Sequence, residues 1–182
     1  IDISWEISHI DYPRIDYSDK AKETLIINVQ ADQPFLDPTV IDQMYSFFNN
    51  QLEAPQVVTP IYKLHKKDIH NPSVVKTLIN NSGEAIYFSR SALPYVRDKN
   101  MNDWHLYGDY WGHVGMYGFR SDVLLNWYNL PPSKLEQSEK LEQLRLIDAG
   151  IKISTFPVKG DFLSVDTYEQ LKFARNIVKQ DK

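Results

Sequence analysis

Residues 24–29 (TLIINV) constrain the fold most, because they form a continuous apolar run that is rich in β-branched side chains. Such a run is typical of a strand that is covered on both faces, as in a parallel sheet. Polar residues and a proline end the run at 30–34. Asp37 and Pro38 then predict the start of a helix, since Asp is a preferred N-cap and Pro suits the first helical position. A buried strand followed by a helix indicates an α/β fold.

The rest of the chain alternates strands with helices. We predict strands at residues 56–62, 73–79, 85–88, 112–119 and 151–158, and helices at 121–128, 134–149 and after 167. The segment Asn80-Asn81-Ser82-Gly83 is a hairpin-type turn, so the strands beside it are antiparallel. Ser133 and Glu136 have the spacing of a capping box. The pattern predicts one domain over residues 1–182, with a three-layer α/β fold whose sheet is mixed and mostly parallel, with an antiparallel hairpin.

Composition argues against several classes of function. The chain has 20 Lys and Arg against 24 Asp and Glu, a net charge of −4, so a broad surface for nucleic acid is not expected. It has no cysteine, which removes disulfides, thiolate metal sites and cysteine nucleophiles. No apolar run approaches the roughly 20 residues that a membrane-spanning helix needs, so no membrane partner is expected.

Two carboxylates are candidate metal ligands. Asp32 follows the first buried strand, at the kind of position where open α/β sheets bind ligands, and Mg²⁺ prefers oxygen ligands. The alternative for Asp32 is a turn residue whose carboxylate accepts backbone N–H groups. Asp166 precedes the last helix and could be its N-cap. Thr167 could cap this helix instead, with Gln170 completing a second capping box, which would free Asp166 for another role.

Other polar residues are open to two interpretations. Arg90 ends an apolar strand and could bind a carboxylate or phosphate, or form a salt bridge at the strand end. His113 lies in a strand, where it is either a ligand or a hydrogen-bonded core residue. Glu142 and Gln143 lie mid-helix, where a solvated face is the default interpretation. A sugar platform, a core cluster and a dimer contact are the alternatives for the aromatic residues Trp104, Tyr107, Tyr110 and Trp111.

Six short segments occur in an order and spacing that resemble one family. The segments are NVQADQP at 28–34, AIYFSRS at 85–91, GHVGMY at 112–117, PPSKLE at 131–136, LEQLR at 141–145 and VDT at 165–167. Each segment is weak alone, but together they are similar to the 3-deoxy-manno-octulosonate (Kdo) cytidylyltransferases, also called CMP-Kdo synthetases. The resemblance runs from about Thr24 to the end of the chain.

The resemblance implies a Rossmann-like nucleotidyltransferase fold and the reaction CTP + Kdo → CMP-Kdo + pyrophosphate. This reaction activates an acidic sugar for lipopolysaccharide synthesis in the cytoplasm. The resemblance also implies a homodimer and dependence on Mg²⁺. Carried over by position, Asp32 and Asp166 would be the catalytic residues that bind the metal. The sugar acid would be held by Gln30, Arg90, His113, Tyr117, Glu142 and Gln143. We expect Arg90 to meet its carboxylate, because that group requires a cation.

The chain departs from the family pattern in two regions. The usual Gly-Asp-Glu-Pro is here Ala31-Asp32-Gln33-Pro34, which keeps the carboxylate but removes a neighbouring charge. The family's N-terminal part, which carries Ile-Pro-Ala-Arg and a Ser-x-Arg-Leu-Pro-x-Lys-Pro loop, has no match in residues 1–23. That part supplies most contacts to the triphosphate and the cytosine. We therefore expect the C-terminal portion of a cytidylyltransferase domain, with an exposed sheet edge, that alone binds CTP poorly and does not turn over.

Two alternatives remain open at this point. The sugar could be a related acid such as 8-amino-Kdo, since pocket details decide that choice. The chain could instead be a non-catalytic module that binds a sugar acid or dimerises without nucleotide chemistry.

Overall fold

The elements of the fold are taken from a computed structural model that describes residues 24–160, 162, 164, 165 and 167–180. The strands are β1 (Leu25–Val29), β2 (Val57–Lys63), β3 (Lys76–Ile79), β4 (Ala85–Ser89), β5 (Trp111–His113), β6 (Met116–Arg120) and β7 (Ile153–Val158). The helices are α1 (Thr39–Asn49), α2 (Ser121–Asn126), α3 (Lys134–Glu139), α4 (Leu144–Asp148) and α5 (Tyr168–Gln180). Short 3₁₀ turns lie at Lys66–Asp68, Met101–Leu106 and Trp127–Asn129.

The seven strands form one mixed sheet. Its order is β1-β6-β2-β5-β3-β4, and β7 pairs with β2 outside this path. β2 and β7 run parallel, whereas the other five pairings within the described residues are antiparallel. The predicted mixed sheet and the antiparallel β3–β4 hairpin are therefore correct, but the prediction that the sheet is mostly parallel is wrong.

The sequence did not predict the direction of the strands, because an apolar run indicates that a strand is buried and not how it is connected to its neighbours. Direction depends on how the chain returns to the sheet, and β6 returns antiparallel to both β1 and β2. β1 is also less buried than its composition suggests, since Asn28 and Val29 are exposed. Among the described residues it pairs with β6 alone, along one side.

Two hydrophobic clusters on opposite faces of the sheet account for the three layers. Consecutive residues of β2, Val57 and Val58, point to opposite faces, and each belongs to a different cluster. Val58 packs with α1 through Met44, while Val57 packs with α2 and α4 through Val123 and Leu144. The sheet therefore lies between α1 on one side and α2 to α4 on the other.

Local capping signals are confirmed. Ser133 Oγ accepts the N–H groups of Leu135 and Glu136 while Glu136 reaches back to the Ser133 N–H, which is a complete capping box. Asp37 Oδ1 accepts the Thr39 N–H at 2.9 Å, directly before α1. The hairpin turn is held by Asn80, whose side-chain oxygen accepts two backbone N–H groups.

Two predicted elements are interrupted, and both interruptions border the candidate site. The predicted helix 134–149 ends at Glu139, because Lys140 takes a left-handed φ of 55°, and resumes at Leu144. The predicted strand 112–119 is divided into β5 and β6, and Gly115 between them accepts the Gln30 N–H at 3.1 Å through its carbonyl. Helical spacing of apolar residues cannot reveal one left-handed residue, because that residue need not face the core.

Candidate functional site

A cleft of about 820 Å³ opens where β1, β4 and β5 end. Seven of the eight predicted site residues line it, namely Gln30, Asp32, Arg90, His113, Tyr117, Glu142 and Gln143. The eighth, Asp166, lies outside the described residues. The solvated helix face proposed for Gln143 is wrong, since this side chain is 2% exposed and lies between α3 and α4. The sugar platform is not supported for Trp104 and Tyr110, which are buried in a core cluster with Leu64 and Ile69.

Asp32 presents a carboxylate that is only half satisfied. Its Oδ2 accepts the Ser164 hydroxyl at 2.9 Å, and its backbone carbonyl accepts the Val165 N–H at 2.9 Å. Its Oδ1 is buried and has no hydrogen-bond partner among the described residues. A buried carboxylate oxygen without a partner is costly, and a hard divalent cation is a suitable partner for it. The Asp32 carboxylate therefore fits a Mg²⁺ ligand better than the alternative of a turn residue satisfied by backbone N–H groups.

The start of α5 is capped by Thr167 together with Gln170. The Thr167 N–H donates to Gln170 Oε1 at 2.8 Å, and the Gln170 N–H donates to Thr167 Oγ1 at 3.2 Å. This is the predicted second capping box, so the cap interpretation of Asp166 loses its basis. The Val165 N–H donates to the Asp32 backbone carbonyl, which holds residue 165 beside residue 32. Within the described residues, no three His, Cys, Asp or Glu side chains cluster as a metal site.

Gln30 and Glu142 join the two sides of the cleft. Gln30 Nε2 donates to Glu142 Oε1 at 3.1 Å, although the residues are 112 positions apart in the chain. Gly115 leaves the space that Gln30 occupies, since a Cβ atom at Gly115 would lie 2.3 Å from Gln30 Oε1. The absence of a side chain at position 115 therefore permits the observed position of the Gln30 amide.

Replacing Gly115 with alanine is expected to displace the Gln30 amide and break its bond to Glu142, with little loss of stability. The atom in the way is the end of a flexible side chain, which can rotate. Gly112→Ala is the matched control, because its Cβ would lie 2.5 Å from the Tyr62 ring, and overpacking a core costs about 1–3 kcal/mol. Thermal unfolding compares the stability of the two variants, and the NMR shift of the Gln30 side-chain amide shows whether that amide is displaced. Equal destabilisation of the two variants would contradict the expectation.

His113 is held as a neutral ring with one defined proton. Thr59 Oγ1 donates its only hydrogen to the Met116 carbonyl at 2.9 Å, so it can only accept from His113 Nε2, which lies 3.1 Å away. The neutral ring therefore carries its proton on Nε2 and keeps Nδ1 as an acceptor. Burial lowers the pKa of His113 to about 3, so the ring is uncharged at neutral pH. His113 is thus a half-buried, hydrogen-bonded residue that also lines the cleft.

Tyr117 places an unpaired hydroxyl in the same region. The side chain is 4% exposed, and its hydroxyl oxygen is buried without a hydrogen-bond partner among the described residues. Burial, and secondarily the charge of Glu142, raises the pKa of Tyr117 well above its usual value, so the hydroxyl keeps its proton. Its ring lies 5.1 Å from that of His113. The two side chains thus offer a hydroxyl donor and an imidazole acceptor.

Arg90 is anchored through neutral carbonyl groups. Its Nε donates to the Glu139 carbonyl at 3.0 Å, and its Nη1 donates to the Pro72 carbonyl at 3.2 Å. These bonds use two of the five guanidinium N–H groups. Within the described part of the chain, no carboxylate forms an ion pair with Arg90, so the salt bridge at the strand end is not observed. The remaining N–H groups suit an anion in the cleft.

A buried lysine lies behind Arg90. Lys76 is 0% exposed, and its Nζ donates to the carbonyls of Asn71, Val74 and Arg90. Burial, followed by repulsion from Arg90, lowers the pKa of Lys76 to about 8, against a partial opposing effect of Glu139. The sequence did not single out Lys76, since a lysine in a strand is ordinarily exposed.

The contribution of Lys76 to stability is expected to increase between pH 8 and 10.5. Its folded-state pKa lies below the ordinary value of 10.5, so the unfolded chain binds more protons in this range and the free energy of unfolding rises with pH. The increase in the free energy of unfolding is at most about 3 kcal/mol, because a shift of one pKa unit corresponds to 1.36 kcal/mol. Urea unfolding of the wild type and Lys76→Met across this range measures the effect. A difference between them that is independent of pH would rule it out.

The cleft contains more positive charge than the chain as a whole. Its lining includes four Lys or Arg and three Asp or Glu, while the chain has a net charge of −4. Sequence reasoning missed three of these cations, Lys66, Lys67 and Lys140. The available signal was the Lys66-Lys67 pair that follows β2. β1 and β2 are both antiparallel to β6, so their carboxyl ends lie at the same edge of the sheet.

A sequence model of the family described as cytidylyltransferase matches residues 15–153. The chain belongs to the cytidylyltransferase family. Two relatives of this cytidylyltransferase-family chain are named 3-deoxy-manno-octulosonate cytidylyltransferase. The protein from Nitratidesulfovibrio vulgaris (strain DP4) is 36% identical over 164 residues, which cover 88% of this chain and 62% of the relative. The protein from Lawsonia intracellularis is 36% identical over 158 residues, which cover 87% of this chain and 59% of the relative. The chain thus spans about three fifths of their length.

Solved structures place the cytidylyltransferase chain in the α/β nucleotidyltransferase fold. A CMP:2-keto-3-deoxy-manno-octonic acid synthetase complexed with CTP matches with a TM-score of 0.76 and 36% identity, over 87% of this chain and 63% of that one. An apo UDP-glucose pyrophosphorylase matches with a TM-score of 0.54 and 17% identity, over 86% and 55%, which supports the fold alone. No helix in the described ranges is both long and apolar enough to cross a membrane.

Proposed function

We propose that this protein transfers CMP from CTP to the anomeric hydroxyl of Kdo and releases pyrophosphate. The observation that carries the proposal is the convergence of a half-satisfied carboxylate, Asp32, and a guanidinium without an ion-pair partner among the described residues, Arg90, on one cleft. Transfer of a nucleotide to an acidic sugar needs both groups. The carboxylate holds a metal ion that binds the phosphates, and the guanidinium binds the carboxylate of the sugar. The names of the relatives support this pair of substrates.

The sugar acid is held by the walls of the cleft. Arg90 binds its carboxylate with the N–H groups that the Glu139 and Pro72 carbonyls leave available. His113 Nδ1 accepts from one sugar hydroxyl, and the Tyr117 hydroxyl bonds to another. The polar groups of Gln30, Glu142 and Gln143 line the same cleft and complete the set of contacts.

The reaction is a displacement at phosphorus. The anomeric oxygen forms a bond to the α-phosphorus of CTP, the bond from that phosphorus to pyrophosphate breaks, and the hydroxyl proton leaves to solvent. Catalysis then consists mainly of alignment and neutralisation of charge. The exposed Lys66 and Lys67 at the cleft attract the two anionic substrates, which repel each other.

Asp32 and Asp166 are the residues we propose to hold Mg²⁺. The buried Asp32 Oδ1 without a partner among the described residues fits such an ion. When bound, Mg²⁺ supplies neutralisation of the triphosphate and activation of the sugar hydroxyl. The family resemblance further supports a homodimer that acts in the cytoplasm, in lipopolysaccharide synthesis.

The test uses two proteins, residues 1–182 and a fusion protein in which the N-terminal segment of the Nitratidesulfovibrio vulgaris relative precedes this chain. With CTP, Mg²⁺ and Kdo, the fusion protein should release pyrophosphate and form CMP-Kdo, while residues 1–182 should bind Kdo in calorimetry without turnover. Parallel reactions with 8-amino-Kdo identify the preferred sugar. Kdo binding by residues 1–182 combined with an inactive fusion protein would favour the non-catalytic module. Steady CMP-Kdo formation by residues 1–182 would refute the expected inactivity.

A further inference from the structure

Glu139 makes contacts to the Arg90 segment through three of its atoms. Its Oε1 accepts the Ser89 hydroxyl at 2.6 Å, its Oε2 accepts the Arg90 N–H at 3.0 Å, and its backbone carbonyl accepts Arg90 Nε at 3.0 Å. One residue thus holds the backbone of Arg90, the residue before it, and the guanidinium. The two residues are 49 positions apart in sequence.

The position of Glu139 results from the interruption between α3 and α4. Glu139 is the last residue of α3, and Lys140 adopts the left-handed conformation that turns the chain away from the helix axis. The helix is fixed at its other end by the Ser133–Glu136 capping box. Its last carbonyl has no helical partner, which leaves it available to accept from Arg90 Nε.

The distribution of these bonds determines the charge that Arg90 presents. The Glu139 carboxylate is occupied by a hydroxyl and a backbone N–H, which are neutral donors. Within the described ranges, the guanidinium donates to two carbonyl groups, those of Glu139 and Pro72, and to no carboxylate. A direct ion pair with Glu139 would compete with an incoming carboxylate, whereas neutral acceptors orient the guanidinium and leave its charge uncompensated at contact distance.

We propose that Glu139 is the positioning residue of the sugar-carboxylate site, because it fixes the direction of Arg90 without neutralising it. This inference rests on the proposed function, in which Arg90 binds the carboxylate of the sugar acid. Glu139 does not line the cleft, so it acts through Arg90 and not on the substrate. Lys76 holds the Arg90 carbonyl on the other side, so the Arg90 backbone is bonded at both its N–H and its C=O.

The decisive variant is Glu139→Gln in the fusion protein. An amide keeps the size of the side chain but cannot accept both the Ser89 hydroxyl and the Arg90 N–H, because one oxygen becomes an NH₂ donor. We expect KM for Kdo to rise about tenfold, which corresponds to roughly 1.4 kcal/mol, while KM for CTP stays within twofold. Glu136→Gln is the matched control on the same helix. It weakens the Arg145 ion pair and lowers the unfolding temperature, but it should leave KM for Kdo unchanged.

A double-mutant cycle distinguishes positioning from general stability. In an Arg90→Ala background, Glu139→Gln should have no further effect on KM for Kdo, because the group it positions is absent. Additive effects, or equal increases in KM for both substrates, would overturn the inference. If Arg90→Ala raises KM for Kdo and Glu139→Gln does not, the positioning role is wrong while the proposed function stands. If Arg90→Ala leaves KM for Kdo unchanged, the sugar-carboxylate role of Arg90 in the proposed function is itself wrong.

Discussion

Replacing Asp32 with asparagine in the fusion protein is expected to lower kcat for CMP transfer by roughly 1,000-fold, in line with the loss of one electrostatic contact to a transition state. Asparagine keeps the size of the side chain and can still accept from the Ser164 hydroxyl, so the segment beside α5 remains attached. It removes the negative charge at the buried Oδ1, which has no other partner among the described residues. The loss should therefore appear in catalysis and not in folding.

The measurement is pyrophosphate release as a function of Mg²⁺ concentration, together with thermal unfolding. Asp37→Asn is the matched control. Its carboxylate caps α1 by accepting the Thr39 N–H, and this bond lowers the pKa of Asp37, but Asp37 does not line the cleft. That variant should lose little stability and keep its kcat. An Asp32→Asn protein with wild-type kcat and the same Mg²⁺ dependence would exclude Asp32 as a ligand.

Arg90→Ala is expected to raise KM for Kdo about 100-fold, because removing one partner of a buried charge pair costs roughly 2–5 kcal/mol. Arg90→Lys should recover only part of this loss. A lysine cannot donate to the Glu139 carbonyl, the Pro72 carbonyl and a carboxylate in the geometry of a planar guanidinium.

The control for this prediction is Arg120→Ala. Arg120 forms an ion pair with Asp122 at 2.6 Å and also donates to the Ala54 carbonyl, away from the cleft. Steady-state kinetics with each substrate varied in turn give the two KM values. Equal effects of the Arg90 and Arg120 variants on KM for Kdo would show that the loss is structural.

Local signals in the sequence predicted local structure well. The Ser133–Glu136 and Thr167–Gln170 capping boxes are both present, and the Asn80 turn joins an antiparallel hairpin. Each of these features depends on residues no more than four positions apart. Their hydrogen bonds form within a single turn of chain, so residue types at fixed spacing are sufficient to identify them.

The candidate site was predicted by resemblance, because its contacts join distant parts of the chain. Spacing alone favoured a solvated face for Gln143 and left two interpretations open for Asp166. The buried position of Gln143 depends on the left-handed Lys140, and the second interpretation of Asp166 depends on the capping box at Thr167. Glu139 and Lys76 were not singled out, since their importance comes from Arg90, 49 and 14 positions away.

The sequence by itself determined which segments are strands and helices, where two helices are capped, and which family the chain resembles. These properties follow from short-range hydrogen bonding, from the periodicity of apolar residues and from the order of short segments. The tertiary structure alone decided the direction of the strands, the division of the predicted helix at Lys140, and the environment of Asp32, His113 and Arg90. Direction and burial depend on which distant segments meet, and no local pattern of residues records that choice.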